Sequence, residues 1–153
     1  MPKVDLESVE VLNRTGYPAP FDEPVAGRFQ QRVGKATGLT HFGANLVRLV
    51  PGAWSSQRHW HEGEDELLVM IEGEAVLVEN DGRTSLAPGD IVSWPAGQIN
   101  GHHLINESNA DCRFLVIGAG DQEGGGYSDI DMFFTPEGAY VHKDGTPYPT
   151  KRV

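Results

Sequence analysis

The spacing of turn signals is the feature that most restricts what this chain can fold into. Between residues 51 and 109, clusters of Gly, Pro, Asn and Asp recur at short intervals, and the segments between them are short and rich in Val, Ile and Leu. Short segments of this kind, bounded by turn residues, are typical of an all-β sandwich or barrel. The longer apolar period of an amphipathic helix does not occur in this region.

The same pattern predicts individual strands and the division of the chain. The predicted strands are 42–50, 66–72, 74–79, 83–86, 91–94, 101–105 and 112–117. Asp81-Gly82 is expected to turn the third strand into the fourth. With 153 residues, the chain is predicted to form one domain. Residues 41–118 would form the barrel, 1–40 an N-terminal arm extended by its prolines, and 119–153 a C-terminal extension that starts with a flexible glycine-rich stretch and ends in a small hairpin.

Charge restricts the partners of the protein. Lys and Arg number 12 against 22 Asp and Glu, which gives a formal net charge of -10. Such a chain is repelled by phosphate backbones and anionic lipids, so we expect neither nucleic acid nor a membrane as partner. The only clustered cations are Lys151 and Arg152. No signal peptide or long apolar segment is recognisable, and the single cysteine, Cys112, is expected to be buried, so the protein is predicted to be cytoplasmic.

Four of the six histidines lie in two short segments. His59 and His61 are two residues apart, and on a strand such residues point to the same face. Glu66 follows at the start of the next predicted strand, where its carboxylate can reach the same point. Two imidazoles and a carboxylate form a ligand set suited to divalent iron, manganese, nickel, cobalt or zinc.

The second segment offers His102 and His103. Adjacent strand residues point to opposite faces, so only one of the two can join the first site. The alternation of side chains does not choose between them. Arg48 and Arg58 are the cations nearest to the histidines in sequence; either could bind a carboxylate substrate, although a solvated surface role is the simpler interpretation.

At this point the sequence resembles the cupin superfamily. Its first motif, G-x5-H-x-H-x3,4-E-x6-G, is matched with one additional residue before the first histidine, and its second, G-x5-P-x-G-x2-H-x3-N, with two additional residues before the histidine. The matching residues are Gly52, His59, His61, Glu66 and Gly73, then Gly89, Pro95, Gly97, His102 and Asn106. The H-x3-N spacing favours His102 over His103 as the fourth ligand. The resemblance extends from about residue 43 to residue 118.

The resemblance implies a fold, a cofactor and a range of functions. The fold would be the cupin double-stranded β-helix, a jelly-roll barrel, in a homodimer. One divalent transition metal (Fe, Mn, Ni or Zn) would be bound by His59, His61, Glu66 and His102. The protein would be a small metal-dependent enzyme of dioxygenase, decarboxylase, isomerase or lyase type that acts on a polar organic acid or another oxygenated small molecule. The alternative is a cupin that binds or senses a small molecule without turnover.

Overall fold

The computed structural model describes residues 2–151; Met1, Val153 and Arg152, one of the two clustered cations, lie outside the described residues. Strands dominate this range. In chain order they are β1 (Val11–Leu12), β2 (Arg28–Gln31), β3 (Gly43–Leu49), β4 (His59–His61), β5 (Glu64–Glu72), β6 (Ala75–Glu79), β7 (Gly82–Leu86), β8 (Ile91–Trp94), β9 (His103–Ile105), β10 (Cys112–Gly120), β11 (Gly125–Tyr127), β12 (Phe133–Phe134) and β13 (Tyr140–Val141). Two 3-10 turns (Leu6–Ser8 and Glu23–Val25) and a four-residue helix, α1 (Val33–Ala36), complete the secondary structure. None of the helices in residues 2–151 has the length and apolar character needed to cross a bilayer.

The strands form a jelly-roll barrel. A six-stranded sheet has the order β1-β2-β3-β10-β5-β8, a three-stranded sheet the order β7-β6-β9, and a four-stranded sheet the order β13-β12-β11-β4. The main core lies between the first two sheets. It is built from alternate residues of their strands, among them Val47, Leu49, Leu68, Met70, Leu77, Leu86, Trp94, Leu104, Cys112 and Phe114. The predicted all-β class and the cupin barrel are therefore confirmed, and Cys112 is buried as expected.

The predicted strands of the barrel all occur; half of their ends agree with the prediction, and the others are shifted by one to three residues. The Asp81-Gly82 turn joins β6 to β7 as an antiparallel pair, as predicted. The segments on either side of Gly73 do not pair with each other, because β5 joins the six-stranded sheet and β6 the three-stranded one. Gly73 has φ +72, and a Cβ there would lie 2.5 Å from the Asp111 carbonyl oxygen. Only glycine therefore allows this tight crossing between sheets.

The N-terminal segment is more than an extended arm. Its strand β2 pairs antiparallel with β3, with Arg28 opposite Leu49, and β1 adds a further strand beyond β2. Tyr17 and Val25 are buried in a second apolar cluster together with residues of the C-terminal extension. The N-terminal segment thus extends the main sheet and connects the two ends of the chain.

The C-terminal extension folds onto the strand that carries the first two histidines. Strand β11 pairs with β4, so that Gly126 lies opposite Trp60 and Tyr127 opposite His59. The prediction of a flexible glycine stretch is wrong for Gly125 and Gly126, which are buried strand residues. A Cβ on Gly126 would lie 2.3 Å from Cζ2 of Trp60, so glycine is needed here for close packing rather than for flexibility. The small hairpin expected at Asp144-Gly145 is present, because Val141 bridges to Pro147.

Candidate metal centre

Two adjoining strands position three of the predicted metal ligands. His59 and His61 are the first and last residues of β4 and lie on one face of it, while Glu66 lies near the start of β5. One ligand atom from each of the three lies within 4.8 Å of the other two. The turn between β4 and β5 is short enough to bring the carboxylate back to the imidazoles. Sequence reasoning placed these three side chains at one point, and the structure brings them there.

His102 joins the same cluster from a third segment. It forms an isolated antiparallel bridge with His59, so its backbone lies directly beside β4. Its Nε2 lies 2.8 Å from Oε1 of Glu66, while Nε2 of His61 lies 3.2 Å from Oε2. The His102 ring is stacked on Trp94, with ring centroids 3.6 Å apart and the planes within 1°. The two oxygens of one carboxylate are thus each approached by a different imidazole.

Backbone carbonyls set the orientation of two of these rings. Nδ1 of His59 lies 2.8 Å from the Gln57 carbonyl oxygen, and Nδ1 of His102 lies 2.9 Å from that of Asn100. A carbonyl only accepts, so Nδ1 carries the proton and Nε2 of the neutral ring carries the lone pair. This arrangement is common around histidines that bind metals through Nε2.

The donor set fits a divalent transition metal. A lone pair on Nε2 of His102 and a carboxylate oxygen at 2.8 Å repel each other unless a proton or a cation lies between them. Three imidazoles and one carboxylate are borderline and hard ligands of the type that Fe, Mn, Ni and Zn accept. The residues present could therefore hold such an ion, with the carboxylate of Glu66 at the centre of the group.

The electrostatics of the cluster favour the charge states that metal binding needs. Burial alone would raise the pKa of Glu66, but the adjacent imidazoles of His102 and His61 outweigh it and hold that pKa well below its usual range. Burial, reinforced by the charge of His61, lowers the pKa of His59 to about 4. Burial acts to lower the pKa of His61, but the hydrogen bond to Glu66 and the charges of Glu66 and Glu64 together outweigh it and raise that pKa. At neutral pH, Glu66 is therefore an anion and His59 a neutral imidazole.

His103 is buried but makes other contacts. Its Nδ1 lies 2.7 Å from the Ser56 carbonyl oxygen, and its ring packs edge-on against Trp54 at a centroid distance of 4.8 Å. Burial lowers the pKa of His103. The structure thus gives the two neighbouring histidines different surroundings, with His102 against Glu66 and His103 against the segment before β4.

A cavity of about 230 Å³ opens beside the cluster, inside the barrel. Its lining combines apolar and polar side chains: Arg28, Gln30, Asn45, Val47, Ser55, Ser56, His59, Glu66, Leu68, Trp94, His102, His103, Leu104, Phe114 and Val116. A wider cavity of about 410 Å³ shares Asn45, Glu66 and Val116 with the first and reaches His41, Phe42 and His61. The cluster therefore lies between the smaller cavity, which we call the inner chamber, and the larger one.

The arginine that lines the inner chamber is neither of the two that lie nearest to the histidines in sequence. Arg48 forms an ion pair with Asp111 at 3.1 Å on the outside of the barrel. Arg58 forms one with Asp129 at 3.0 Å. Arg28, far from the histidine motifs in sequence, lines the chamber instead. The alternation of side chains along β2 could have indicated Arg28. That alternation can be interpreted only when β2 is known to pair with β3.

The C-terminal extension contributes an aromatic cover to the site. From the sequence alone, its Tyr127 and Phe134 could lie either over the mouth of the barrel or against a partner subunit. The ring of Phe134 packs edge-on against His59 and His61, at centroid distances of 6.0 and 5.4 Å. The ring centroid of Tyr127 lies 5.5 Å from that of His59. The hydroxyl of Tyr127 donates to that of Tyr17 in the buried cluster described above. These rings exclude water from one side of the imidazoles and connect β4 to both ends of the chain.

Comparisons with known proteins agree with this geometry. The sequence profile of the Cupin domain family matches residues 45–118. A curated oxalate-binding protein from Thermotoga maritima is 32% identical over 71 residues, which are 46% of this chain and 56% of that protein, so the chain spans little more than half the length of this relative.

Two solved structures extend the likeness beyond the barrel. A protein of Silicibacter pomeroyi, described as a sugar phosphate isomerase of a cupin superfamily, is 43% identical, with 97% of each chain covered and a TM-score of 0.91. The polyketide cyclase of Streptomyces resistomycificus is 22% identical over 78% of this chain and 79% of its own, with a TM-score of 0.62, and shares the fold. On its barrel, its motif residues and these relatives, the chain belongs to the cupin superfamily.

Proposed function

We propose that the protein is a metal-dependent enzyme of isomerase type that acts on a small, oxygenated, chelating molecule such as a sugar derivative or polar organic acid. His59, His61, Glu66 and His102 would hold one divalent transition metal, with Fe, Mn, Ni or Zn as the candidates. The observation that carries the proposal is the convergence of His59, His61 and Glu66 within 4.8 Å beside a cavity of about 230 Å³. The bound ion would act as a Lewis acid toward a carbonyl or hydroxyl oxygen of the substrate.

The chain's own residues support this chemistry in three ways. The low pKa of Glu66 keeps a negative charge at the centre of the ligand set. The amide groups of Gln30 and Asn45 line the chamber and can donate to and accept from hydroxyl groups. Leu68, Phe114 and Val116 provide the apolar remainder and limit the entry of water.

Isomerase chemistry is the favoured reaction because the relative from Silicibacter pomeroyi, which is similar over nearly the whole chain, is described as a sugar phosphate isomerase. Dioxygenase, decarboxylase and lyase reactions stay as proposals, because one fold can carry many reactions.

Metal content and turnover test the proposal together. Untagged wild-type protein should contain about one equivalent of a transition metal by plasma mass spectrometry, and His61→Ala should lose it. His142→Ala is the matched control, because His142 also contacts a carboxylate, Asp131 at 2.9 Å, but lies outside the cluster. Small hydroxy-carbonyl compounds would then be incubated with each protein in D₂O. Deuterium uptake at the carbon beside the carbonyl is expected with wild type and His142→Ala only.

The results separate the possible outcomes. Absence of metal after reconstitution would overturn the metalloenzyme. Metal without turnover of any compound would favour the second candidate, a cupin that binds or senses a small molecule. The curated relative favours that candidate, because it is described as an oxalate-binding protein rather than as an enzyme. Oxygen consumption with an iron-loaded sample would direct the assignment to a dioxygenase.

We further propose that two copies form the homodimer that the resemblance implies. A row of apolar residues crosses four strands of the main sheet on its outer face: Leu46 is opposite Leu115, Leu115 opposite Val69, and Val69 opposite Ile91. Ile91 is 63% exposed in the single chain. Light scattering should give a dimer for wild type and a monomer for Ile91→Glu. Ile99→Glu, at a position 65% exposed but outside this row, should remain dimeric. The cytoplasmic location stays a prediction.

A further inference from the structure

Arg28 is a cation inside the barrel without an anionic partner. Its guanidinium lines the inner chamber, and its Nη1 donates to the Ser55 carbonyl oxygen at 2.9 Å. No carboxylate of residues 2–151 forms an ion pair with it, whereas four other arginines have such a partner: Arg48, Arg58, Arg83 and Arg113. A guanidinium has five N–H donors, and the bond to Ser55 occupies one of them.

The surroundings of Arg28 do not neutralise its charge. Burial lowers its pKa, opposed by the neighbouring phenols of Tyr17, Tyr140 and Tyr127. Neutral phenols can orient a guanidinium but carry no negative charge, and arginine stays protonated at any physiological pH. Removing a cation from water costs free energy unless an anion or further hydrogen bonds compensate for it. A permanent positive charge is therefore held beside a cavity that no acidic side chain other than Glu66 lines.

The volume of the chamber limits what can occupy it. A cavity of about 230 Å³ corresponds to about eight water molecules at roughly 30 Å³ each. The proposed metal ligands His59, Glu66 and His102 line this chamber together with Arg28. A compact molecule can therefore reach Arg28 with one group and the ligand cluster with another.

We propose that Arg28 binds an anionic group of the substrate, and that the chamber selects compact chelating molecules with a carboxylate or phosphate for Arg28 over analogues that lack this group. This inference rests on the proposed function and specifies its substrate class. The planar guanidinium can donate two parallel hydrogen bonds to a carboxylate or a phosphate, and such charge-assisted pairs are stronger than neutral ones. Arg28 would thus be a binding and specificity residue, separate from the metal ligands.

Paired probes test the proposal by calorimetric binding to manganese-loaded protein. In the carboxylate arm, malate is compared with 2-hydroxybutyrate, which keeps the chelating hydroxy acid but lacks the second carboxylate. In the phosphate arm, dihydroxyacetone phosphate is compared with dihydroxyacetone. Wild type should bind the more highly charged member of at least one pair about tenfold or more tightly, and the arm that shows the preference identifies the anion. Arg28→Gln should weaken that binding about 10- to 100-fold, while binding of the other member and the metal content stay unchanged.

Two further variants keep the result interpretable. Arg48→Gln removes an arginine from the outer face of the neighbouring strand β3, where it pairs with Asp111, and should leave every affinity unchanged. Arg28→Lys keeps a charge without the planar donor pair, so it should retain part of the preference for the anion. It replaces Arg28→Gln as the test if Arg28→Gln does not fold. An unchanged preference for the anion in Arg28→Gln, or in Arg28→Lys and Arg48→Gln alike, would overturn the proposal.

Failure of the proposed function gives a different result. If the wild-type protein takes up no metal, the metalloenzyme is refuted, and Arg28 is then judged by calorimetry with inorganic phosphate on the metal-free protein. Weaker phosphate binding by Arg28→Gln than by wild type would still support the anion site. Equal binding, or none by either protein, would refute it.

Discussion

Replacing Trp94 with phenylalanine should destabilise the fold and weaken metal binding together. The Trp94 side chain is 5% exposed, and its ring lies flat against His102 at 3.6 Å between centroids. Its indole N–H donates to Oε1 of Glu79 at 2.8 Å. One side chain therefore serves both the core and the orientation of a proposed ligand. A phenyl ring keeps the aromatic face but loses the donor and part of the volume.

The magnitude follows from these contacts. A hydrogen bond to a carboxylate contributes about 1.5–3 kcal/mol, and the lower end applies because Glu79 also accepts from Nδ2 of Asn100 at 3.2 Å. The smaller ring leaves a void that costs about 1–2 kcal/mol. Together the free energy of unfolding should fall by about 3 kcal/mol. Poorer stacking on His102, worth about 0.5–1.5 kcal/mol, should reduce metal affinity roughly two- to twelvefold.

Urea unfolding of the metal-free protein and competition with a fluorescent chelator measure the two effects. Trp60→Phe is the matched control, because it removes an indole donor to a carboxylate, that of Glu62 at 3.0 Å, where the bond is exposed to solvent. It should cost about 1 kcal/mol and leave metal affinity unchanged. Equal losses in the two variants, or a change below about 0.5 kcal/mol for Trp94→Phe, would refute the reasoning.

Two further predictions concern protonation and packing. Metal uptake at pH 6.5 should release more than half a proton per ion, because the pKa of His61 is raised above its ordinary value of about 6.5 and that proton must leave before the nitrogen can bind. Calorimetry in buffers of different ionisation enthalpy measures the release, and a release of half a proton per ion or less would contradict this origin. Gly126→Ala should lower stability by about 1–3 kcal/mol in thermal unfolding, because its Cβ would lie 2.3 Å from the Trp60 ring. Gly43→Ala, where the nearest atom is at 3.7 Å, should be nearly neutral, and equal losses would count against steric packing as the cause.

The strands of the barrel and the centre of the site were predictable because their signals are local. Turn residues mark the ends of β5, β6 and β7 whatever the chain packs against. The spacing of His59 and His61 fixes their common face on a strand, and Glu66 follows at the start of the next strand. The choice between His102 and His103 was not local. It depended on a family spacing, and it stays a proposal although the structure places His102 against Glu66.

The extensions were harder to predict because their structure depends on distant partners. The glycine stretch has the composition of a flexible linker, but Gly125 and Gly126 pair with β4 and are buried by Trp60 and Phe134. A short strand of this kind has no apolar alternation of its own, so its conformation is decided by the strand beside it.

The all-β class, the barrel strands and the convergence of two histidines with one glutamate follow from local sequence, since alternation and turn chemistry act within a few residues. The surroundings of that cluster depend on how distant segments pack together. Arg28 enters the chamber because β2 pairs with β3, and Phe134 covers the imidazoles because the C-terminal extension returns to β4. Those contacts join residues far apart in the chain, and their stability comes from burying apolar surface and satisfying backbone hydrogen bonds once the whole barrel has formed.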